Sequence, residues 1–191
     1  MEGEMGECLE RKTETGEIAV TKAGGKSSKL LVRCDLLPPW AMHRIVQTDL
    51  RFDGDHRFPR VGDARSLCME AATDLVAASM RFRAAENDAS ASEEAEEEGC
   101  NLLAFVFREL ASTDGGVPAA LLRVAGVMRE GAEKYAVDNW RHVPTDVHLN
   151  HAIRHLLLMA AGATSTGEDH MAHALCRVAM ALDVVLCDED Q

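Results

Sequence analysis

Aromatic side chains make up only 4% of this 191-residue chain: five Phe, two Trp and one Tyr. The interior must therefore be built from Leu, Ala, Val and Met, a composition that favours helix over sheet. No segment alternates convincingly with a period of two, so the fold class expected is all-α. Positive charge is also scarce, with 20 Lys and Arg against 32 Asp and Glu and a formal net charge of −12. That balance excludes a nucleic-acid surface, which needs an excess of cations to meet phosphates. No apolar run approaches the ~20 residues of a membrane span, and no secretory leader is recognisable, so a soluble cytoplasmic protein is expected. The six cysteines include no C-x-x-C pair, and reduced, mostly buried thiols are expected. H-E-x-x-H is missing, which excludes a zincin. No His-Asp dyad occurs; Asp169-His170 has the reverse of the order an HD phosphohydrolase uses. Gly25-Lys26-Ser27 ends like a P-loop, but Val20 stands where its first glycine belongs.

The length suits one domain. Residues 1–28 are polar and rich in Gly, Glu and Lys, with a strand-like patch at Ile18-Ala19-Val20; they read as a mobile arm. Residues 29–191 read as a single helical domain. Pro38-Pro39 opens a helix with Trp40, Met42, Ile45 and Val46 at helical spacing. A second runs from Ala64 to Arg83 with Leu67, Ala71, Leu75 and Ala78 on one side. From Glu86 to Glu98 there are seven acidic residues and no basic ones, more than half of the net charge. This tract reads as a solvated acidic linker at 86–98, followed by a short helix at about 101–110. Further helices are expected at 118–135, 144–161 and 168–186, the last with Ala172, Leu175, Ala179, Leu182 and Leu186 as apolar members.

Histidine is the least random feature of the sequence. Six of the eight lie between His142 and His173. His148, His151 and His155 share one helix face by their spacing of three and four, and His170, His173 and Arg177 repeat that spacing on the next helix. A short turn makes the two helices antiparallel neighbours, so the stripes can converge. Imidazoles so arranged can ligate a divalent transition metal, and nearby carboxylates would add Mg²⁺ competence.

Four pieces, in order, resemble the phage-type dATP/dGTP diphosphohydrolase family of MazG-like all-α nucleotide pyrophosphohydrolases. They are Arg33-Cys-Asp35-Leu-Leu-Pro38-Pro39-x-Ala41-Met, Gly131-Ala-x-Lys134-Tyr135-x-x-x-Asn139-Trp140, Arg154-His155-Leu and His170-Met-Ala-His173-Ala. The resemblance covers about 30–47 and 117–187 and leaves 48–116 as a helical insertion. It implies a helical bundle, a homo-oligomer, and metal-dependent hydrolysis of a purine deoxynucleoside triphosphate to the monophosphate and pyrophosphate, with Mg²⁺ or Mn²⁺. Under it, His155, Glu133 and Asp169 are the candidate catalytic groups. His155, His170, His173 and Asp169 are the candidate metal ligands. Arg33, Lys134 and Arg154 would hold phosphates, while Tyr135, Asn139 and Trp140 would meet the base. Glu93-Glu94-x-x-Glu97 spells a MazG-type E-E-x-x-E signature, yet its low-complexity surroundings read as linker. Arg177 stands where the family usually has Asn, so it should face a phosphate, an acid such as Asp183, or solvent. The alternative function is a catalytically inactive helical module that binds a nucleotide or another protein.

Overall fold

The computed structural model of the chain describes residues 14–20, 26–30, 33–51, 64–87, 92–113, 115–163 and 167–188. Six α-helices are present among them: α1 (Pro39–Arg51), α2 (Ala64–Asn87), α3 (Ser92–Ser112), α4 (Gly116–Tyr135), α5 (Thr145–Ala160) and α6 (His170–Asp188). Single 3₁₀ turns at Cys34–Leu36 and Asn139–His142 lead into α1 and α5. The body is all-α. Within the region expected to be a mobile arm, β1 (Glu14–Val20) and β2 (Lys26–Leu30) pair antiparallel, with Ile18 opposite Ser28 and Val20 opposite Lys26. The patch at 18–20 was the only sequence signal of this hairpin. The remainder of the arm lies outside the described residues; of residues 51–63, which read as a loop from Gly54, Pro59 and Gly62, Arg51 ends α1 and 52–63 lie outside the described residues too.

α6 is the centre of the bundle and packs against α1, α3, α4 and α5. Its Ala174, Leu175, Val178, Ala179, Ala181 and Leu182 are all buried. By length and composition alone its 18 residues His170–Cys187 would suit a membrane span. Burial among four helices accounts for that composition, and its alanines let the neighbours approach closely. The second layer is α2 against α3, closed over the bundle by Leu75, Leu103 and Phe107, each 0% exposed. Where these helices cross, a Cβ on Gly99 would stand 2.6 Å from the Phe82 ring. The close approach explains a glycine in mid-helix.

Three expectations need correction. The described part of the acidic stretch is not linker: residues 86 and 87 end α2, 92–98 form the first two turns of α3, and 88–91 lie outside the described residues. Acidic side chains there are favoured by the helix dipole, and they meet cations distant in sequence: Glu97 pairs with Arg44 of α1, and Glu98 pairs with Arg81 of α2 at 3.0 Å. A linker reading saw the charges without their partners. Nor do the helices of 48–116, read as an insertion, stand apart from the bundle, since Cys100, Ala104 and Val106 belong to the same core as α6. Finally, Trp40 and Val46 of α1 are exposed, and Ala41 and Ile45 carry its buried face.

α1 is held from below by charge. Asp183 of α6, 0% exposed, accepts hydrogen bonds from the backbone N–H groups of Trp40 and Ala41 at 2.8 and 3.1 Å. These are the free amides of the helix N-terminus, where a carboxylate is favoured. Its second oxygen lies 3.0 Å from the Arg141 guanidinium.

Candidate active site

α5 and α6 run antiparallel, and two contacts fix their register: His155 opposite His170, and His148 opposite Arg177. The stripes expected from the sequence therefore do converge. At the first rung, Nδ1 of His155 lies 3.2 Å from Nδ1 of His170, and Glu168 reaches His170 at 3.4 Å and His173 at 3.5 Å. The His173 ring stacks on His155 with centroids 5.0 Å apart. His155 is pushed down to about 4, first by burial and then by the neighbouring His173, so it is a neutral imidazole at pH 7.

Donor atoms of His155, Glu168 and His170 all lie within 4.8 Å of one another. Two nitrogens bound at about 2.1 Å to one ion stand roughly 3.0–3.4 Å apart for octahedral to tetrahedral angles, so the 3.2 and 3.4 Å separations fit a shared cation. Two imidazoles with one carboxylate suit a transition ion better than Mg²⁺, which prefers an all-oxygen set. Glu168 was not singled out as a ligand from the sequence. It lies before α6, where only the folded turn shows which way a carboxylate faces.

Beside the cluster lies a cleft of about 610 Å³. Its walls include Glu130, Lys134 and Tyr135 of α4, Asn139 and Trp140 of the following turn, and Arg154 and Arg177 of the two histidine helices. The chain leaves α4 through two residues with positive φ, Ala136 at 95° and Asp138 at 60°. That costly backbone swings Asn139 and Trp140 back against the cleft. Tyr135 is exposed on the wall, with the Lys134 ammonium 4.8 Å from its ring centroid. Trp140 is only 7% exposed, and the Arg141 guanidinium lies 4.5 Å from its ring.

Three residues expected in the site are committed elsewhere. Arg33 is exposed and held by Asp35 through two hydrogen bonds of 2.7 and 2.6 Å, outside the cleft. Asp169 caps α6 by accepting from Ala172 N–H at 3.0 Å and binds Arg123 through both oxygens, one contact at 2.9 Å. Local capping and a distant arginine thus take it from the histidine cluster, where Glu168 is the neighbouring carboxylate. Glu133 is exposed, its nearest cation being Arg129 one turn back at 3.9 Å, and Glu130 is the α4 carboxylate on the cleft. Cys176, near the histidines in sequence, packs against Met128, and burial pushes its thiol up to about 12.

His148 is fully buried. Its Nε2–H donates to the Trp140 carbonyl at 3.0 Å, and its Nδ1 accepts from Arg177 at 3.1 Å. Burial, chiefly, holds it down to about 4 from an ordinary 6.5. The unfolded chain binds this proton below pH 6.5 and the folded one only near pH 4, so stability is full above pH 6.5 and falls with acid. The expected loss from His148 is about 3 kcal/mol between those limits. Denaturant melts from pH 7.5 to 4.5 should show it, with a shallower dependence in His148→Gln; equal slopes would refute the assignment.

Residues 88–191 match the family model described as dATP/dGTP diphosphohydrolase, N-terminal. The match takes in all of α3, so that helix lies within the family's segment rather than in an insertion. No curated protein and no solved structure matches the chain.

Proposed function

Because the chain belongs to the dATP/dGTP diphosphohydrolase family, we propose that its cleft hydrolyses a purine deoxynucleoside triphosphate to the monophosphate and pyrophosphate with a divalent cation. The observation that carries this reading is the junction of a His155–Glu168–His170 donor cluster with a cleft lined by Lys134, Arg154 and Arg177. His155, His170 and Glu168 would hold the cation, and the donor set favours Mn²⁺ over Mg²⁺. When bound, it neutralises phosphate charge and lowers the pKa of an attacking water.

The protein's own groups supply the remaining work. Lys134 and Arg154 reach the cleft as phosphate partners, and the latter is a forked donor suited to two oxygens. His173, stacked on His155 and 3.5 Å from Glu168, is placed to accept a proton from water near the cluster. The exposed Tyr135 ring offers a face to the base, and Asn139 a donor and an acceptor for its edge.

A panel of deoxy- and ribonucleoside triphosphates, with Mn²⁺ or Mg²⁺ and with monophosphate, pyrophosphate and phosphate resolved, tests the proposal. The expected products are a purine deoxynucleoside monophosphate and pyrophosphate, formed faster with Mn²⁺. Absence of turnover with every nucleotide and both metals would leave a binding module.

A further inference from the structure

Arg177 is a cation whose counter-charge is missing. Its guanidinium is partly buried on the cleft wall, and no carboxylate among the described residues pairs with it. Asp183, the acid on the same helix, is taken by the α1 amides and Arg141. Among the described residues the one hydrogen-bond partner of Arg177 is Nδ1 of His148, and the other nitrogen of that ring is tied to the Trp140 carbonyl. A neutral imidazole fixed at both nitrogens aims a guanidinium but does not neutralise it. Arg154, which is exposed, lines the same cleft. A partly buried cation with no carboxylate partner is costly unless an anion joins it. The same wall holds a second unpaired group, the buried Trp140 Nε1–H, which has no acceptor.

Position narrows the anion. Arg177 lies seven residues beyond His170 on α6, about 10 Å along the axis, so one small phosphate at the metal cluster does not span both places. A chain of phosphates does. We infer that Arg177, aimed by His148, receives the phosphates of a nucleoside triphosphate remote from the His155–His170–Glu168 cluster and thereby sets the preference for triphosphate over monophosphate. This rests on the reading of the cleft as a nucleotide site, and it makes His148 a positioning residue.

Calorimetric titration with α,β-methylene dGTP, which resists cleavage at that bridge, and with dGMP tests it, on the wild type and on Arg177→Gln, Arg177→Lys and His148→Phe. Loss of a charge-assisted contact should weaken the triphosphate analogue about 10- to 100-fold in Arg177→Gln, while dGMP changes less than about threefold. Arg177→Lys should recover part of the loss. His148→Phe should reduce the triphosphate-to-monophosphate ratio in folded protein, whereas a purely structural role would lower the melting temperature and leave the ratio unchanged. Equal weakening of both ligands, no change in either, or a wild type that does not bind the analogue overturns the inference. The two readings fail separately. If Arg177→Gln turns over dGTP with unchanged KM, the hydrolase stands and the role of Arg177 falls. Selective loss of analogue binding in a protein without turnover would preserve the role of Arg177 and remove the hydrolase.

Discussion

His155→Ala is expected to lower kcat for a purine deoxynucleoside triphosphate by on the order of 100-fold or more, since loss of even a supporting contact to a metal ligand costs about 10- to 100-fold. His155 sits at the meeting of all three parts of the cluster: 3.2 Å from His170, stacked on His173, and within ligating reach of Glu168. Its neutral state at pH 7 leaves a lone pair free to bind an ion. The side chain is also 5% exposed, so alanine leaves a cavity. His155→Gln, which preserves most of the volume, separates the two effects. Both variants should lose turnover and bound Mn²⁺, measured by elemental analysis after dialysis, and the Gln variant should melt close to the wild type. Full turnover in either would mean that the histidine cluster is not the metal centre.

Asp183→Ala should cost about 3 kcal/mol of folding stability, the lower end of what breaking a buried ion pair costs. The low end applies because Arg141 is 32% exposed and regains water once freed, while the Trp40 and Ala41 amides lose their acceptor at the start of α1. For a chain of this length that is a fall of roughly 6–12 °C in Tm. Asp183→Asn retains an acceptor and should fall by about half as much. A change below about 1 kcal/mol in Asp183→Ala, by urea unfolding, would show that α1 is anchored by apolar contacts alone.

The sequence and the structure agree most closely where an element's pattern is local. Leu75 and Ala78 of α2, and Ala172, Leu175, Ala179 and Leu182 of α6, are buried as their spacing requires. The histidine stripes of α5 and α6 met because a spacing of three and four puts side chains on one face and a short turn forces neighbouring helices antiparallel. Amphipathicity misled where a helix touches several partners or few. α1 buries Ala41 and Ile45, while its larger Trp40 stays exposed, because small residues admit the close approach to α6 that Trp would block.

What the sequence by itself determined is the class of the fold, the places of most helices, and the pairing of two histidine-bearing faces. All of these follow from composition and from periodicity within one element. Only the tertiary structure decided which charged groups serve the site. Asp169 and Glu168 are adjacent in sequence, yet one is spent on a helix cap and on Arg123 while the other joins His155 and His170. Likewise the acids of α3 became helix by meeting Arg44 and Arg81, and Arg177 turned to His148 because Asp183 already had partners. A charge takes its role from whichever opposite charge or free amide the packing brings within about 4 Å, and for Glu97, Glu98, Asp169 and Asp183 that partner is distant along the chain.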